Sequence, residues 1–201
     1  MNKFALISDG ESKQGSKVVR KFLALGYNVA ACCKTLYGLE SLLDITHTKR
    51  HCLIAKRVDM TNHSEVRIFY NEALLLYGRP SVLVNNLSHY SNNSSNDNDP
   101  LLATAYSAMT CCVVGQMYLT SLCVRDVKIV EGTIINVGYA YPSTLVRKAI
   151  HDAANACMET FTLSISKEYD VDCYMVTLDD YADAVVSLCH VKSLTWKPSK
   201  L

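Results

Sequence analysis

Short continuous hydrophobic runs alternate along the chain with longer segments whose hydrophobic residues recur at helical spacing. Hydrophobic runs without polar alternation are typical of strands that are buried on both faces, as in parallel sheets. These runs predict six strands, at Phe4–Ser8, Asn28–Cys33, Cys52–Val58, Val82–Asn85, Thr133–Val137 and Asp172–Leu178. The longer segments predict helices at Ser16–Leu25, Leu36–Leu43, Asn62–Tyr77, Leu101–Val124, Ser143–Tyr169 and Asp180–Cys189.

The order of these elements predicts a single α/β domain over residues 1–201. Right-handed crossovers between parallel strands then give a doubly wound Rossmann-type parallel sheet with helices on both faces. Two segments fall outside the pattern. Residues 91–100 are polar and of low complexity, which predicts a mobile surface loop, and residues 192–201 form a short tail.

The balance of charges excludes two classes of partner. The 201 residues carry a formal net charge of +1, so no field of a single sign favours nucleic acid or an acidic membrane surface. No hydrophobic run approaches the roughly 20 residues that span a bilayer. We therefore expect a protein that binds neither nucleic acid nor membrane.

The nine cysteines lie singly or as adjacent pairs, without a C-x-x-C motif. Such thiols are typical of small buried side chains in a reducing compartment, which predicts a cytoplasmic protein. His47, His51 and Cys52 carry atoms that can ligate metals, but no second cluster follows at zinc spacing. We expect no metal site.

Several stretches at predicted strand ends have a recognisable form. Val82–Asn86 reads VLVNN, Val58–Asp59 closes the third strand, and Gly132–Val137 reads GTIINV. Together with Gly115 in the central helix, they resemble the short-chain dehydrogenase/reductase family in order and spacing over residues 3–178. The resemblance implies a Rossmann fold, a nicotinamide cofactor and oxidoreductase chemistry.

The residues that would carry this chemistry differ. The family uses Tyr-x-x-x-Lys together with a Ser and an Asn. The resemblance places Cys112 at the Asn, Tyr139 at the Ser, His151 at the Tyr and Asn155 at the Lys position. None of the twelve tyrosines is followed by a lysine four residues later, so no shift of register restores the pair. The chain also enters its last helix directly after Leu178, which predicts a reduced substrate lid.

The cofactor loop has changed as well. The family's Thr-Gly-x-x-x-Gly-x-Gly corresponds here to Ser8, Asp9, Lys13 and Gly15, so only the last glycine remains. A carboxylate at position 9 would repel a pyrophosphate. By resemblance, the vestigial cofactor positions are Ser8, Gly10, Gly15, Lys34, Asp59 and Asn85. We expect no cofactor, with weak binding of NADP or NAD as the alternative.

These departures predict a catalytically inactive relative of the family that acts as a binding, scaffold or regulatory module. The resemblance implies dimerisation through Leu101–Val124 and Ser143–Tyr169, as a homodimer or as a heterodimer with a related protein. The alternative is an NAD(P)H-dependent oxidoreductase with a substituted proton donor. Lys148, His151 and Asn155 would share one helix face, which leaves open a histidine acid beside a lysine.

Overall fold

The computed structural model describes residues 3–45, 52–86, 105–106, 108–138, 145–177 and 180–189, with side chains from residue 148 onward in the segment that begins at 145. The strands are β1 Phe4–Ile7, β2 Asn28–Cys33, β3 Leu53–Arg57, β4 Val82–Asn86, β5 Thr133–Val137 and β6 Asp172–Val176. The helices are α1 Lys13–Ala24, α2 Leu36–Asp44, α3 His63–Tyr77, α4 Gly115–Ile129, α5 Leu145–Tyr169 and α6 Ala182–Leu188. A π-helical segment, Ala108–Val114, leads directly into α4.

Side-chain caps determine where three helices begin. Ser12 accepts a hydrogen bond from the Gly15 amide at the start of α1, at 3.0 Å. Thr35 accepts one from the Gly38 amide at α2, at 2.9 Å. Asn62 caps α3 in the same way. Each cap satisfies an amide that has no partner within the first helical turn.

All six strands are parallel, in the order β3-β2-β1-β4-β5-β6. At the centre of the sheet, Leu6 of β1 lies opposite Ala30 of β2 and Leu83 of β4. The chain builds outward from β1 to β3, then returns to β4 beside β1 and builds in the other direction. The predicted doubly wound Rossmann-type sheet is therefore confirmed.

Alternate strand residues fill two cores, one on each face of the sheet. In β1, Ala5 and Ile7 face the layer of α1, α2 and α6, whereas Phe4 and Leu6 face the layer of α3, α4 and α5. All four side chains are fully buried. The strand is hydrophobic at every position because a sheet covered on both sides has no solvent face.

Buried amide and hydroxyl groups connect the sheet to the second layer. Asn85 of β4 donates to Thr120 of α4 and to Asn136 of β5, both at 2.8 Å. Asn136 in turn donates to Thr162 of α5 at 2.7 Å. Buried polar groups need such partners, so this chain of bonds fixes how α4 and α5 sit on the sheet.

All six helices differ from the predicted bounds at one end or both, and the differences are largest at α1 and α4. Helix α1 begins at Lys13 instead of Ser16, because Ser12 supplies the cap. Helix α4 continues past the predicted end at Val124 to Ile129. The predicted helix Leu101–Val124 instead contains the π-helical segment Ala108–Val114, and its first residues, 101–104, lie outside the described residues. The other element types are those predicted, and those errors lie at the ends of elements.

The connection between β6 and α6 is short. Strand β6 ends at Val176, before the predicted Leu178, and α6 begins at Ala182, so only residues 177–181 lie between them. This agrees with the predicted reduction of the substrate lid. The predicted loop at 91–100 and the tail at 192–201 lie outside the described residues. Within the described part of the chain, no helix has both the length and the hydrophobicity to cross a bilayer.

Candidate functional site

The carboxyl ends of β1 and β4 lie side by side where the winding of the sheet reverses. Open parallel sheets bind ligands in the crevice at such a point. In this protein the crevice contains a cavity of about 30 Å³, roughly the volume of one water molecule. The polar residues that line it are Ser8, Asp9, Glu11, Lys34, Asn86 and Gln116.

Asn86, at the end of β4, holds the first turn of the chain against the sheet. Its backbone amide donates to Ser8 Oγ at 2.9 Å. Its side-chain amide donates to the Asp9 carbonyl oxygen at 2.9 Å and to Ser12 Oγ at 3.0 Å. Its Oδ1 accepts a hydrogen bond from the Tyr181 hydroxyl at 2.5 Å. This network joins β1, β4 and the starts of α1 and α6 across the crevice.

Tyr181 is an interior member of the network. Only 6% of its surface is exposed, and it immediately precedes α6. Burial, together with the nearby charge of Asp9, raises the pKa of its phenol well above the usual value. The hydroxyl therefore stays protonated at neutral pH and can only be a donor to the Asn86 side-chain oxygen.

Gly15 allows this network to close. A Cβ at position 15 would overlap the carbonyl oxygen of Asp9 and would lie 2.8 Å from Ser12 Oγ and 3.0 Å from Asn86 Nδ2. Glycine is therefore required for α1 to come so close to the turn before it. The one glycine that survives from the family's loop has a packing role that needs no ligand.

Glu11 reaches from the first turn to the start of α2. Its carboxylate accepts hydrogen bonds from the Lys34 amide at 2.7 Å and from the Thr35 amide at 3.3 Å. It also accepts one from the Thr35 hydroxyl at 2.5 Å. Asp9, a second carboxylate in the crevice, is 8% exposed and accepts a hydrogen bond from the Glu11 amide at 3.3 Å. The crevice thus presents two acidic side chains where the fold usually receives phosphates.

Two adjacent cysteines at the end of β2, Cys32 and Cys33, also line the cavity. Cys32 donates to the Ser8 carbonyl at 2.9 Å, and Cys33 approaches the Lys56 carbonyl at 3.4 Å. Burial raises the pKa of Cys32 well above the usual value, with the charge of Asp9 adding to the effect. Burial and then the Glu11 charge raise the pKa of Cys33 to about 12. Both side chains are therefore inert thiols at neutral pH and not nucleophiles.

The six predicted cofactor positions are only partly brought together. Ser8 and Lys34 line the cavity, and Gly15 lies at the network behind it. Gly10 instead packs against Ala31 and Leu42 of the neighbouring elements. Asp59 does not line the cavity, although Val58 and Met60 on either side of it do. Its carboxylate accepts hydrogen bonds from the amide and hydroxyl of Thr61. Asn85 points into the polar chain beneath α4 and α5.

Three of the four catalytic positions lie in the described residues, on the π-helical segment and on α5, which pack together in one hydrophobic cluster. Cys112 lies in the π-helical segment, is 3% exposed and lines the cavity. His151 is a buried residue of α5, 3% exposed. Asn155 lies one turn further on, where its Oδ1 would be 2.7 Å from a Cβ at Gly138. Tyr139 lies outside the described residues.

Of the three residues predicted to share one face of α5, Lys148 forms an ion pair within its own helix. Lys148 Nζ forms an ion pair with Asp152 at 2.7 Å, and about two-fifths of the lysine side chain is exposed. His151 is buried in contrast. The ion pair directs the ammonium group towards an aspartate on its own helix, which weakens its suitability as a partner for a histidine acid.

The sequence-based list of site residues omitted Glu11, Asn86, Tyr181 and Gln116, all of which lie at the crevice. Asn86 had a signal, because it is the second Asn of the VLVNN stretch. The other three had none, because their roles depend on distant elements meeting at the sheet edge.

The cavity that the described residues form in the crevice is much smaller than a typical ligand pocket. The cavity holds about 30 Å³, whereas pockets for small ligands typically hold about 300–1,000 Å³. The Gly15 amide at the start of α1 is bonded to Ser12, and the donors at the start of α2 are bonded to Glu11. At each of these helix N-termini, amides that could bind a phosphate are thus already hydrogen-bonded within the chain.

Metal ligation finds no support in the described residues, among which no group of three or more His, Cys, Asp or Glu could hold an ion. His47 and His51 lie outside them.

We expect the free energy of unfolding to decrease as the pH rises above about 9. The folded-state pKa of Cys33 is about 12, whereas a thiol in an unfolded chain has a pKa of about 8.5. Above the unfolded value, the folded state binds more protons than the unfolded state. The stabilisation is complete below that pH and is lost towards pH 12, at about 1.4 kcal/mol per pH unit for each such thiol.

Urea unfolding at mildly and strongly alkaline pH measures how steeply the free energy of unfolding decreases with pH. Cys33→Ala should reduce the slope, and an unchanged slope would contradict this assignment.

Comparison with known proteins gives a family. The sequence matches the short chain dehydrogenase family over residues 3–177. Among curated proteins, none matches significantly.

Solved structures share the fold at low sequence identity. An apo enzyme from Clostridium thermocellum is 18% identical, with a TM-score of 0.75, over 97% of this chain and 88% of its own. A Caenorhabditis elegans short-chain dehydrogenase/reductase of unknown function, solved with cofactor, is 18% identical, with a TM-score of 0.75, over 88% of this chain and 69% of its own. A Pseudomonas aeruginosa short chain oxidoreductase with an atypical catalytic centre is 17% identical, with a TM-score of 0.68, over 86% of this chain and 68% of its own.

The family match covers most of the chain, and the strand order and crevice agree with it, so this protein belongs to the short-chain dehydrogenase family.

Proposed function

We propose that this protein is a catalytically inactive short-chain dehydrogenase that acts by binding, as a scaffold or regulatory module. The proposal rests on two residues of α5, buried His151 and Asn155, which the resemblance places at the family's Tyr and Lys positions. A neutral amide cannot lower the pKa of a proton donor as an ammonium group does. The nearest lysine on that side of the helix, Lys148, is paired with Asp152.

We further propose that the protein does not bind a nicotinamide cofactor tightly. Two carboxylates, Asp9 and Glu11, lie in the crevice. At about 5 Å and an effective dielectric of about 20, each unit pair of like charges costs roughly 3 kcal/mol. Lys34 also lines the crevice and offsets part of this repulsion. Weak NADP or NAD binding remains the alternative outcome.

We expect no oxidation of NADPH or NADH with aldehydes or ketones above the buffer background. Removal of a positioned acid alone typically lowers a rate by about 10² to 10⁴, and here the lysine and serine positions are also changed. Absorbance of the reduced nicotinamide measures turnover, and a thermal-shift titration measures binding separately. His151→Ala is the control and should behave as the wild type does. Turnover by the wild type that disappears in His151→Ala would refute inactivity.

The second candidate is an oxidoreductase with a substituted proton donor. A Pseudomonas aeruginosa short chain oxidoreductase of the same fold also contains an atypical catalytic centre. In this candidate, His151 would be the acid, and its burial would have to be relieved before a substrate could reach it.

Binding would use the exposed face of α5. Its outward positions follow each other at alternating steps of four and three residues and carry mostly small side chains: Ala149, Ala153, Ala156, Thr160 and Leu163. Leu163 is 44% exposed although it is hydrophobic. Small residues at this spacing allow another helix to approach closely. We propose that this face pairs with a second copy or with a related protein.

We also propose a reducing compartment such as the cytoplasm. Cys32, Cys33 and Cys123 are buried within the two cores as thiols, where they pack as small hydrophobic side chains. This use of cysteine is characteristic of compartments in which thiols stay reduced.

A further inference from the structure

Glu11 forms an unusual contact for a residue of the first turn. It lies between β1 and α1, and its side chain extends to the start of α2. There the carboxylate accepts hydrogen bonds from two backbone amides and one hydroxyl. All three donors belong to Lys34 and Thr35, which connect β2 to α2. The carboxylate therefore satisfies the start of a helix 23 residues further along the chain.

The start of α2 is built to hold an anion closely. Thr35 caps the helix, because its hydroxyl oxygen accepts a hydrogen bond from the Gly38 amide at 2.9 Å. A Cβ at Gly38 would overlap the Glu11 carboxylate and would lie 2.6 Å from the Glu11 Cβ. The absence of a side chain at position 38 thus leaves a recess of the size of one carboxylate. Converging amides, a hydroxyl and a helix N-terminus are the donors that phosphate groups bind.

The adjoining cavity offers a second indication of a ligand. Gln116 is 3% exposed and lines the same cavity as Glu11. Its amide nitrogen donates to the Asn86 carbonyl at 3.3 Å, while its Oε1 is buried without a hydrogen-bond partner among the described residues. A buried acceptor needs a donor, so a molecule carrying both an anionic group and hydrogen-bond donors suits the combined site.

In a Rossmann fold, the end of the second strand is where the ribose of a dinucleotide is held. We propose that Glu11 is an internal anion that occupies the ribose-side phosphate position at the start of α2, and that its removal creates a binding site for a 2′-phosphorylated adenine nucleotide. Glu11 thus occupies, as part of the chain itself, the position that the phosphate group would take. This inference deepens the proposed function and rests on it for the expectation that the wild type binds nucleotide weakly.

The test uses the full chain and three probes: 2′,5′-ADP, 5′-AMP and inorganic phosphate. Glu11→Ala removes the side chain, and Glu11→Gln removes only its charge. The control Glu40→Ala removes a carboxylate from an exposed position on α2, the helix whose start Glu11 contacts. Calorimetric titration at low salt should show that Glu11→Ala binds 2′,5′-ADP at least tenfold more tightly than the wild type or Glu40→Ala. Glu11→Gln should give a smaller gain in the same direction. The amide resonances of Lys34 and Thr35 should shift when the ligand binds to Glu11→Ala.

Equal affinity of the wild type and Glu11→Ala for 2′,5′-ADP would overturn the inference, as would an equal gain in Glu40→Ala. A site that takes 5′-AMP or inorganic phosphate as tightly as 2′,5′-ADP would overturn the assignment of the ligand. If Glu11→Ala does not fold, Glu11→Gln decides, and failure of both to fold would show a purely structural residue. Tight binding of NADPH by the wild type would refute the proposed function. The ratio of the affinities of Glu11→Ala and the wild type for 2′,5′-ADP would still test the role of Glu11.

Discussion

Gly15→Ala should lower the free energy of unfolding by about 3 kcal/mol. The added Cβ would overlap the backbone carbonyl of Asp9, which cannot move aside as a flexible side chain can. It would also press on Ser12 Oγ and Asn86 Nδ2, so the cap of α1 and the bonds from β4 would be strained together. Small domains are stable by only about 5–15 kcal/mol, so this is a large fraction of the total.

Urea unfolding measures this loss, and Ser16→Ala is the matched control. Ser16 lies on the next position of α1, and its exposed hydroxyl donates to the Lys13 carbonyl at 3.1 Å. Replacement there should change stability by no more than about 0.5 kcal/mol. A Gly15→Ala protein as stable as the Ser16→Ala protein would mean that α1 shifts freely from the turn, and the crevice network would then not be rigid.

The fold was predictable because its signal is local and repeated. Each buried strand is a hydrophobic run, as in Val82–Asn86, and the helix stop at Gly78 is marked by a glycine with a φ of 76°. Parallel connections then leave few arrangements of the sheet. Strand order, layer assignment and the short link before α6 all follow from such information.

The crevice was much less predictable, because its contacts join elements far apart in sequence. Glu11 is 23 residues from Lys34, and Tyr181 is 95 residues from Asn86. In the sequence, Glu11 is one charged residue in a polar turn, which is usually solvated. Its role depends on the recess at Gly38, which no hydrophobic pattern marks.

The π-helical segment changes which residues of the central helix face outward. Over Ala108–Val114 the backbone winds more widely than an α-helix, so a spacing counted at 3.6 residues per turn loses phase. Ala108 is 4% exposed and faces the core, whereas Ala149 on the regular helix α5 is exposed. The outward residues of the central helix therefore do not follow from a regular helical spacing.

Ala156→Arg should convert a dimer into a monomer. Ala156 lies at the middle of the exposed small-residue face of α5, between Ala153 and Thr160. A second helix packed there would bury the guanidinium without a partner, and an unpaired charge in a packed interface costs about 3–5 kcal/mol. That is a loss of about two to three and a half orders of magnitude in the dimerisation constant. Sedimentation velocity over a range of micromolar concentrations measures the change.

Ala24→Arg provides the control for this substitution. Ala24 is the exposed last residue of α1, in the helix layer on the opposite face of the sheet, so the same change of size and charge should leave the assembly intact. Dissociation by both substitutions would indicate a general effect of charge. A wild-type chain that sediments as a monomer at every concentration would contradict the proposed homodimer. The α5 face would then have to be tested for binding to a related chain. Dissociation by Ala156→Arg alone would place the seam on α5, which is where a protein without catalysis could still exert an effect on its relatives.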